Sequence, residues 1–466
     1  MLRSVRDLAQ RNSSLRILLV CLLSIGVIGV GSCASAQTVP KSPISDSSEG
    51  VRDSSLQGAG QEGLSRADRL RRRRRAKAQE DHISDRGFLE TVDRYIVDTA
   101  VSVIPNQIAL KVPELDVAGI QPIFGTTTGG ATAGLLYEPT FFRANEQPLR
   151  IEAVGGLSRY YRTETLFRME RGRYVGYAFA RYEHQPRGKF FGVGSGSVAS
   201  DQSTFRLDEG LLGILGGRSL GYKVLVGGHF TYQLNRVGNG SGDGPQVREQ
   251  FGDEVPGVGE NVDHLMIGGF FEYDSRDASA QRTLGHRFAP TENRLRSVSL
   301  EASQGFYLSA EVTRNVDTRA EQYGFTRYTL DAREFLPVDK ELLHGFAFRQ
   351  FASFTQSGKG EVPFYRLQSI GGSRSLRGYG GGRFRDRNVI LSNAEVRYQV
   401  WHKLDMALFT DIGHVFNDVG HLGEGGVRVG YGVGFRYRKD GKTLGRVDFA
   451  RSDEGMTVIL DLGSLF

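Results

Sequence analysis

The stretch "GVRVGYGVGFRYRK", residues 426–439, decides the fold. Bulky apolar side chains occupy the odd positions from Val427 to Tyr437, and arginines and glycines occupy the even positions. A period of two belongs to a strand whose two faces meet different surroundings. One face here is apolar throughout, and the other carries only arginine or glycine. This difference favours lipid on one side and a polar interior on the other.

The same alternation recurs along the chain. It is clear in "LMIGGFFEYDSR" (265–276), "FTRYTLDAR" (325–333) and "NAEVRYQVW" (393–401). These strands are longer than is usual in soluble sheets, and several end in Tyr or Trp, as strands do at a membrane interface. We therefore predict an all-β fold, a transmembrane antiparallel β-barrel over 116–466. A soluble β-sandwich is the alternative.

Sixteen strands are expected, because bacterial single-chain barrels have even strand numbers. The early strands have weaker patterns, and 149–164 is predicted as one strand. The polar insertion 236–262 is predicted as an outside loop, and the short turn 439–445 as periplasmic. Composition agrees with many strands and tight turns, with 61 Gly, 28 Phe, 18 Tyr and only 13 Pro.

The N-terminal segment 1–36 has the features of a signal peptide. Four arginines precede an apolar run at 17–30, and "ASA" (34–36) fits a cleavage site, so the mature chain would start at Gln37. An alternative is lipidation of Cys33, because "VGSC" (30–33) loosely resembles a lipobox. Cys21 and Cys33 are the two cysteines of the chain, so cleavage after Ala36 would leave no thiol.

Two further segments precede the predicted barrel. Residues 37–85 are rich in Ser, Gly and charge without periodicity, and are predicted to be a disordered basic linker. Its run Arg71–Arg75 reads as a solvated charge run, with attraction to acidic lipid or an acidic partner as the alternative. Residues 86–115 are predicted to form a short amphipathic periplasmic helix and a connector.

Signals for catalysis, metal or cofactor binding are weak throughout. The 9 histidines show no H-E-x-x-H or paired ligand spacing. "GVGSGS" (192–197) is not a dinucleotide fingerprint. The glycine-rich stretch 377–386 has the composition of a nucleic-acid-binding tail, but the export signal and the flanking strands oppose that function. We expect no catalytic, metal or cofactor residues and no nucleic-acid partner.

Two motifs in order make the chain resemble a known family. "SIGGSRSLRGYGGGRFRDRN" (369–388) contains Leu376, Arg377, Gly378 and Tyr379, and "MALFTDIGHVF" (406–416) contains Phe409, Asp411 and Gly413. The first resembles the aliphatic-Arg-Gly-aromatic tetrad, and the second the F-x-D-x-G motif, of the BamA/TamA superfamily of outer-membrane barrels, also called the bacterial surface antigen family. The C-terminal Phe466 resembles a barrel-assembly signal.

The resemblance implies that the long sixth outer loop folds into the lumen, where its arginine pairs with the acidic residue of the wall. The residues agree, because Asp411 faces inward if Leu408 and Ile412 face lipid. Arg377 can offer its planar fork to the Asp411 carboxylate, and Glu395 on the neighbouring strand is a competing partner. The alternative is that Arg377 is one of many lumen arginines without a special role.

The resemblance further implies a role in inserting, assembling or translocating proteins at the outer membrane. The expected partners are the lipid bilayer, client outer-membrane proteins and a periplasmic or lipoprotein partner. Family members with this role carry periplasmic POTRA domains, and 37–115 shows no POTRA pattern. A passive channel or structural barrel and an outer-membrane lipid hydrolase are the alternative functions.

Overall fold

The computed structural model describes residues 119–127, 130–139, 149–156, 158–221, 223–276, 302, 304–338, 343–357, 361–422, 425–439 and 442–461. The predicted signal peptide (1–36), linker (37–85) and helix with its connector (86–115) lie outside the described residues, as does Phe466.

Strands form most of the described chain, as the alternating patterns predict. In chain order they are β1 (Ile120–Thr127), β2 (Gly130–Tyr137), β3 (Leu149–Gly156), β4 (Tyr161–Arg171), β5 (Tyr174–Phe190), β6 (Ser203–Leu220), β7 (Val224–Asn239), β8 (Asp263–Asp274), β9 (Gly305–Asp317), β10 (Phe325–Pro337), β11 (Leu343–Ser357), β12 (Gln368–Ile370), β13 (Phe384–Asp386), β14 (Asn388–Trp401), β15 (Leu404–Phe416), β16 (Arg428–Lys439), β17 (Lys442–Ser452) and β18 (Gly455–Asp461).

Sixteen of these strands form one sheet, which confirms the predicted number. Each strand pairs antiparallel with its neighbours in chain order, except that β11 pairs directly with β14. The two strands left out, β12 and β13, form a separate small hairpin. One early prediction is wrong, since 149–164 is not one strand. A turn containing Arg159, at φ 63°, separates β3 from β4.

The two faces of the sheet differ as the sequence predicts. On β6 the outward side chains of Leu212 and Ile214 are 66% and 60% exposed, and Leu460 on β18 is 74% exposed. The opposite face buries charged side chains such as Arg349, Glu395 and Asp448. Exposed apolar and buried charged side chains invert the arrangement of a soluble protein, and they fit a barrel surrounded by lipid.

Contacts between connections show that the sheet curves round. The β5–β6 connection is far from β16 in sheet order. Nevertheless, Arg428 on β16 donates to the Ser195 carbonyl at 2.6 Å, and Arg383, just before β13, donates to Ser197 at 2.8 Å. A flat sheet could not bring these connections together, whereas a barrel does.

Successive connections alternate between the two ends of the barrel, because neighbouring strands are antiparallel. The β7–β8, β11–β14 and β15–β16 connections lie at one end, and the β8–β9, β14–β15 and β16–β17 connections lie at the other. The insertion 236–262 and the turn 439–445 are therefore at opposite ends, as predicted. We call the end with the long β11–β14 connection the loop end.

In the described residues, the helices are short and lie in the connections. They are α1 (Val247–Phe251) and the 3₁₀ turns Ala199–Asp201, Gly252–Glu254, Phe364–Arg366 and Val419–His421. In the part of the chain that the structure describes, no helix is long and apolar enough to cross a membrane.

An apolar cluster lies at the loop end. We call it the outer cluster, and its buried members are Phe190, Phe205, Val247, Val255, Phe325, Val362, Phe364, Tyr365 and Leu367. Phe364 lies at its centre, with its ring edge-on to Phe190 at 5.1 Å and to Phe205 at 4.9 Å between centroids. The cluster joins the β7–β8 connection and the start of the β11–β14 connection to strands β5, β6 and β10.

We expect Phe364→Ala to destabilise the barrel, because it removes a ring that is 1% exposed from the middle of the outer cluster. Truncations of this kind cost about 3–5 kcal/mol. The measurement is the temperature at which the purified protein changes its heat-modifiable gel migration, compared with Val193→Ala, an exposed side chain at the same end. Equal temperatures for the two variants would contradict a stabilising role for the cluster.

Candidate functional site: a loop bound to the inner wall of the barrel

Residues 361–387, which we call the lumen loop, run from β11 to β14 through the barrel interior. The loop has its own apolar core against the wall. Its buried members are Phe351, Ile370, Leu376, Tyr379, Phe384, Val389, Leu391 and Val415, from the loop, β11, β14 and β15. Leu376 is fully buried in this core. The adjacent Arg377 is thereby carried deep into the interior.

Arg377 and Asp411 form a bidentate ion pair. Nε of Arg377 donates to Oδ2 at 2.7 Å, and Nη2 donates to Oδ1 at 2.8 Å. The backbone N–H of Arg377 also donates to Oδ2, at 3.0 Å. Both side chains are fully buried. Two parallel charge-assisted bonds fix the orientation of the guanidinium as well as its position.

The competing partner considered in the sequence, Glu395, also contacts Arg377. The remaining nitrogen Nη1 donates to Oε1 of Glu395 at 2.8 Å and lies 3.5 Å from Asp448. The guanidinium carbon lies 3.5 Å from the centroid of the Phe409 ring, which makes a cation–π contact. Burial would lower the pKa of Arg377, but the charge and hydrogen bonds of Asp411, with Glu395, raise it above its usual value. The guanidinium therefore stays charged.

Side chains of the wall donate hydrogen bonds to the carboxylates that pair with Arg377. Asn393 on β14 donates to Oδ1 of Asp411 at 2.8 Å and to the Ser375 carbonyl at 2.7 Å. Arg436 on β16 bridges Glu395, at 2.9 Å, and Asp448, at 2.6 Å. Because buried charges are costly unless they are paired, this network gives each carboxylate a cationic partner.

Three glycines make room for the loop. Gly378 has φ +94°, a backbone conformation that favours glycine. Gly413 faces Ile370, and a Cβ added to Gly413 would lie 2.6 Å from the Ile370 side chain. Gly430 on β16 is closer still, since an added Cβ would lie 1.8 Å from the Arg377 carbonyl oxygen. Sequence reasoning missed Gly430, although the alternating glycines on the inward face of 426–439 were a usable signal.

The tip of the loop also bonds to the last three strands. The Gly378 carbonyl accepts from the Ser452 hydroxyl on β17 at 2.8 Å and from Thr457 on β18 at 3.3 Å. The Tyr379 hydroxyl lies 3.4 Å from the Val429 carbonyl on β16. Burial, together with the neighbouring Asp453 carboxylate, raises the pKa of Tyr379 to about 12. The tyrosine therefore remains a neutral donor at physiological pH.

Arg383 joins the loop to two outer connections. Its Nε donates to Glu454 in the β17–β18 turn at 2.7 Å. Its Nη1 and Nη2 donate to the hydroxyl and carbonyl of Ser197, each at 2.8 Å. The glycine-rich stretch 192–197 is therefore a docking segment for the lumen loop.

Comparisons with known proteins support the fold. Residues 266–451 match the Omp85 superfamily domain. No curated protein matches the sequence. BamA from Haemophilus ducreyi lacking POTRA domains 1–3 is similar in structure, with 11% identity, a TM-score of 0.52, and 74% of this chain and 70% of that chain covered.

Two further solved structures are similar over the same share of this chain. CdiB from Acinetobacter baumannii has 12% identity, a TM-score of 0.42, and 74% of this chain and 59% of that chain covered. CdiB from Escherichia coli has 11% identity and a TM-score of 0.48, with 74% of this chain and 62% of that chain covered.

Residues 266–451 therefore carry a match to the Omp85 superfamily domain, which confirms the resemblance inferred from the two motifs. All seven motif residues predicted in the loop and on the wall lie within or directly around the buried contact between Arg377 and Asp411. In the described residues, no group of three or more His, Cys, Asp and Glu is placed to hold a metal ion.

We expect Arg377→Ala to destabilise the barrel by about 3–5 kcal/mol, because it leaves the Asp411 and Glu395 carboxylates buried without their shared partner. Arg377→Lys should fall between the parent and the alanine variant, since a lysine keeps the charge but lacks the fork. Heat-modifiable gel migration measures both. Arg451→Ala, at an exposed arginine on the outward face of β17, is the control and should migrate like the parent.

We expect Gly430→Ala to displace the lumen loop, because its methyl group would collide with the Arg377 carbonyl. Limited proteolysis of the folded barrel should then cut within 361–387, where the parent is protected. Gly216→Ala on the outward face of β6 is the control, since nothing lies within 4 Å of its added Cβ. Equal protection of the loop in both variants would show that the close approach at Gly430 is not needed.

Proposed function

We propose that the protein acts at the outer membrane in the insertion, assembly or translocation of other proteins. The observation that carries this proposal is the attachment of the lumen loop, within an Omp85 superfamily domain, to each of the last five strands. The wall contacts come from Glu395 on β14, Asp411 on β15, Val429 on β16, Ser452 on β17 and Thr457 on β18.

This attachment matters because it reaches the end of the sheet. β18 is the last strand of the sheet and pairs with β17. We take the seam between β18 and the first strand, β1, to be the place where the wall opens most easily. A client strand could pair with this edge and enter the bilayer sideways. The lumen loop would keep β18 in position while a client strand is paired with the edge of β18.

The mechanism is physical and needs no catalytic residue. Arg377 and Asp411 would brace the loop, and the loop would hold the five-strand wall as a unit. The predicted linker and helix, 37–115, would recruit a periplasmic or lipoprotein partner. Their position just before the barrel in the sequence motivates that step.

The filled interior argues against a passive channel. The lumen loop occupies the space beside β14–β18, and the outer cluster covers the loop end with buried aromatic rings. A channel needs a continuous polar path, and a loop and an apolar cluster in these positions would narrow it. We therefore expect purified protein in planar bilayers to conduct poorly.

The test of the proposed function is depletion of the protein in its own host, followed by measurement of the other outer-membrane barrels. We expect their folded, membrane-inserted amounts to fall, and expression of the parent chain to restore them. Arg377→Lys should restore them only in part, provided that equal amounts of the variant reach the membrane. Unchanged barrel levels after depletion, together with steady conductance of the purified protein, would overturn the proposal in favour of a channel.

A further inference from the structure

The last strand, β18, carries three side chains on its inward face. Thr457, near the loop end, donates to the Gly378 carbonyl of the lumen loop at 3.3 Å. Ile459 packs in a buried cluster with Phe409. Asp461 comes next and lies nearest the opposite end of the barrel, where it is 8% exposed. The contacts of Asp461 therefore decide how the half of β18 that is far from the loop end is held.

Two arginines from different parts of the chain hold the Asp461 carboxylate. Arg446, its register partner on β17, donates from Nη2 to Oδ2 at 3.0 Å. Arg374 of the lumen loop lies 3.4 Å from Oδ2 through Nε and 3.5 Å from Oδ1 through Nη2. Buried charges are costly unless they are paired, so these two cations stabilise the ionised carboxylate in its place on the inner wall.

Arg446 also joins the loop backbone to β18 through a single nitrogen. The same Nη2 that donates to Asp461 donates to the Ser373 carbonyl. From the other side, Arg349 on β11 donates to the Arg374 carbonyl at 3.5 Å, and its own position is fixed by an ion pair with the wall. This short segment of the loop therefore connects β11 to β17 and β18.

The segment belongs to a compact loop tip. The Gly372 N–H donates to the Tyr379 carbonyl at 3.0 Å, which closes residues 372–379 into a ring. The Ser375 hydroxyl accepts from the Gly371 N–H and donates to the Gly371 carbonyl, each at 3.0 Å. These bonds stiffen the tip, so that its two contacts to β18 are held at a fixed separation.

We propose that Asp461 is a positioning residue for the edge of β18, and that Arg446 and Arg374 act on client strands through it. This inference rests on the proposed function. Thr457 and Asp461 are four residues apart, which is about 13 Å along a strand. Two attachments at this spacing fix the direction of β18, whereas the first alone would let its far half swing. A client strand pairs continuously only with an edge whose direction is fixed.

Hydrogen exchange of the purified full-length protein tests the attachment without any client. Asp461→Asn keeps the size of the side chain and removes its charge. We expect the backbone amides of 459–461 to exchange faster by about tenfold or more, because hydrogen bonds to charged groups are the strong ones. The amides of 455–457 should exchange as in the parent.

Two further variants complete the exchange experiment. Arg374→Gln removes only the loop side of the attachment, so it should give a smaller change over the same residues, and it serves if Asp461→Asn fails to fold. Arg451→Gln, at an exposed outward position on β17, is the control and should exchange like the parent.

Photocrosslinking in the host tests whether the attachment serves client strands. p-Benzoylphenylalanine replaces Leu460 or, in a second strain, Met456, since both side chains are exposed on the outward face of β18. At equal amounts of folded protein, Asp461→Asn should remove most of the crosslinks to other outer-membrane barrels at position 460 and leave those at position 456 unchanged. Asp461→Glu, which restores the charge, should recover part of the loss.

The outcomes distinguish this inference from the proposed function. Parent crosslinks that Asp461→Asn leaves unchanged would overturn the role of Asp461 and leave the proposed function standing. Unchanged exchange at 459–461, or exchange that is equally faster along the whole of β18, would overturn it as well. If the parent gives no crosslink to another barrel at either position, the proposed function fails, and the role of Asp461 in client pairing fails with it.

Discussion

The buried ion pair between Arg377 and Asp411 sets the requirements for the rest of the site. A charged guanidinium inside the barrel is costly unless each of its nitrogens finds an acceptor. The acceptors are the carboxylates of Asp411 and Glu395. Arg436 in turn donates to Glu395, and Asn393 donates to Asp411. The inward glycines of the wall follow from the same constraint, because larger residues would keep the loop too far away.

The lumen loop, which the pair fixes in place, also links two parts of the barrel that are far apart in the chain. The tip of the lumen loop bonds to β14–β18, while its start packs in the outer cluster against β5, β6 and β10. Arg383 adds a polar connection to the β5–β6 loop through Ser197. A change at the β18 edge could therefore reach the opposite wall through the loop. This gives a physical route between the edge and the closed outer end.

The sequence was sufficient for the barrel and for the main contact. Alternation in 393–401 and 426–439 set the inward and outward faces, and the two motifs placed Arg377 beside Asp411. It was insufficient where the deciding information was three-dimensional. The Gly155–Gly156 pair before Arg159 is a turn signal. It did not decide that 149–164 is split, because glycine pairs also lie inside strands of this barrel, as at Gly216–Gly217 on β6. The docking of Arg383 on Ser197 joins residues that no spacing rule connects. Gly430 was visible as part of a pattern, but its role depends on the path of the loop.

A double-mutant cycle on Arg377 and Asp411 tests the central claim most directly. Arg377→Ala, Asp411→Ala and the double variant would be unfolded in urea in lipid vesicles, and their free energies of unfolding compared with the parent. The double variant should lose less than the sum of the single losses, with a coupling of about 2 kcal/mol or more, as expected for side chains in direct contact. Additive losses would contradict the account, because they would mean that the two side chains do not stabilise the barrel through each other.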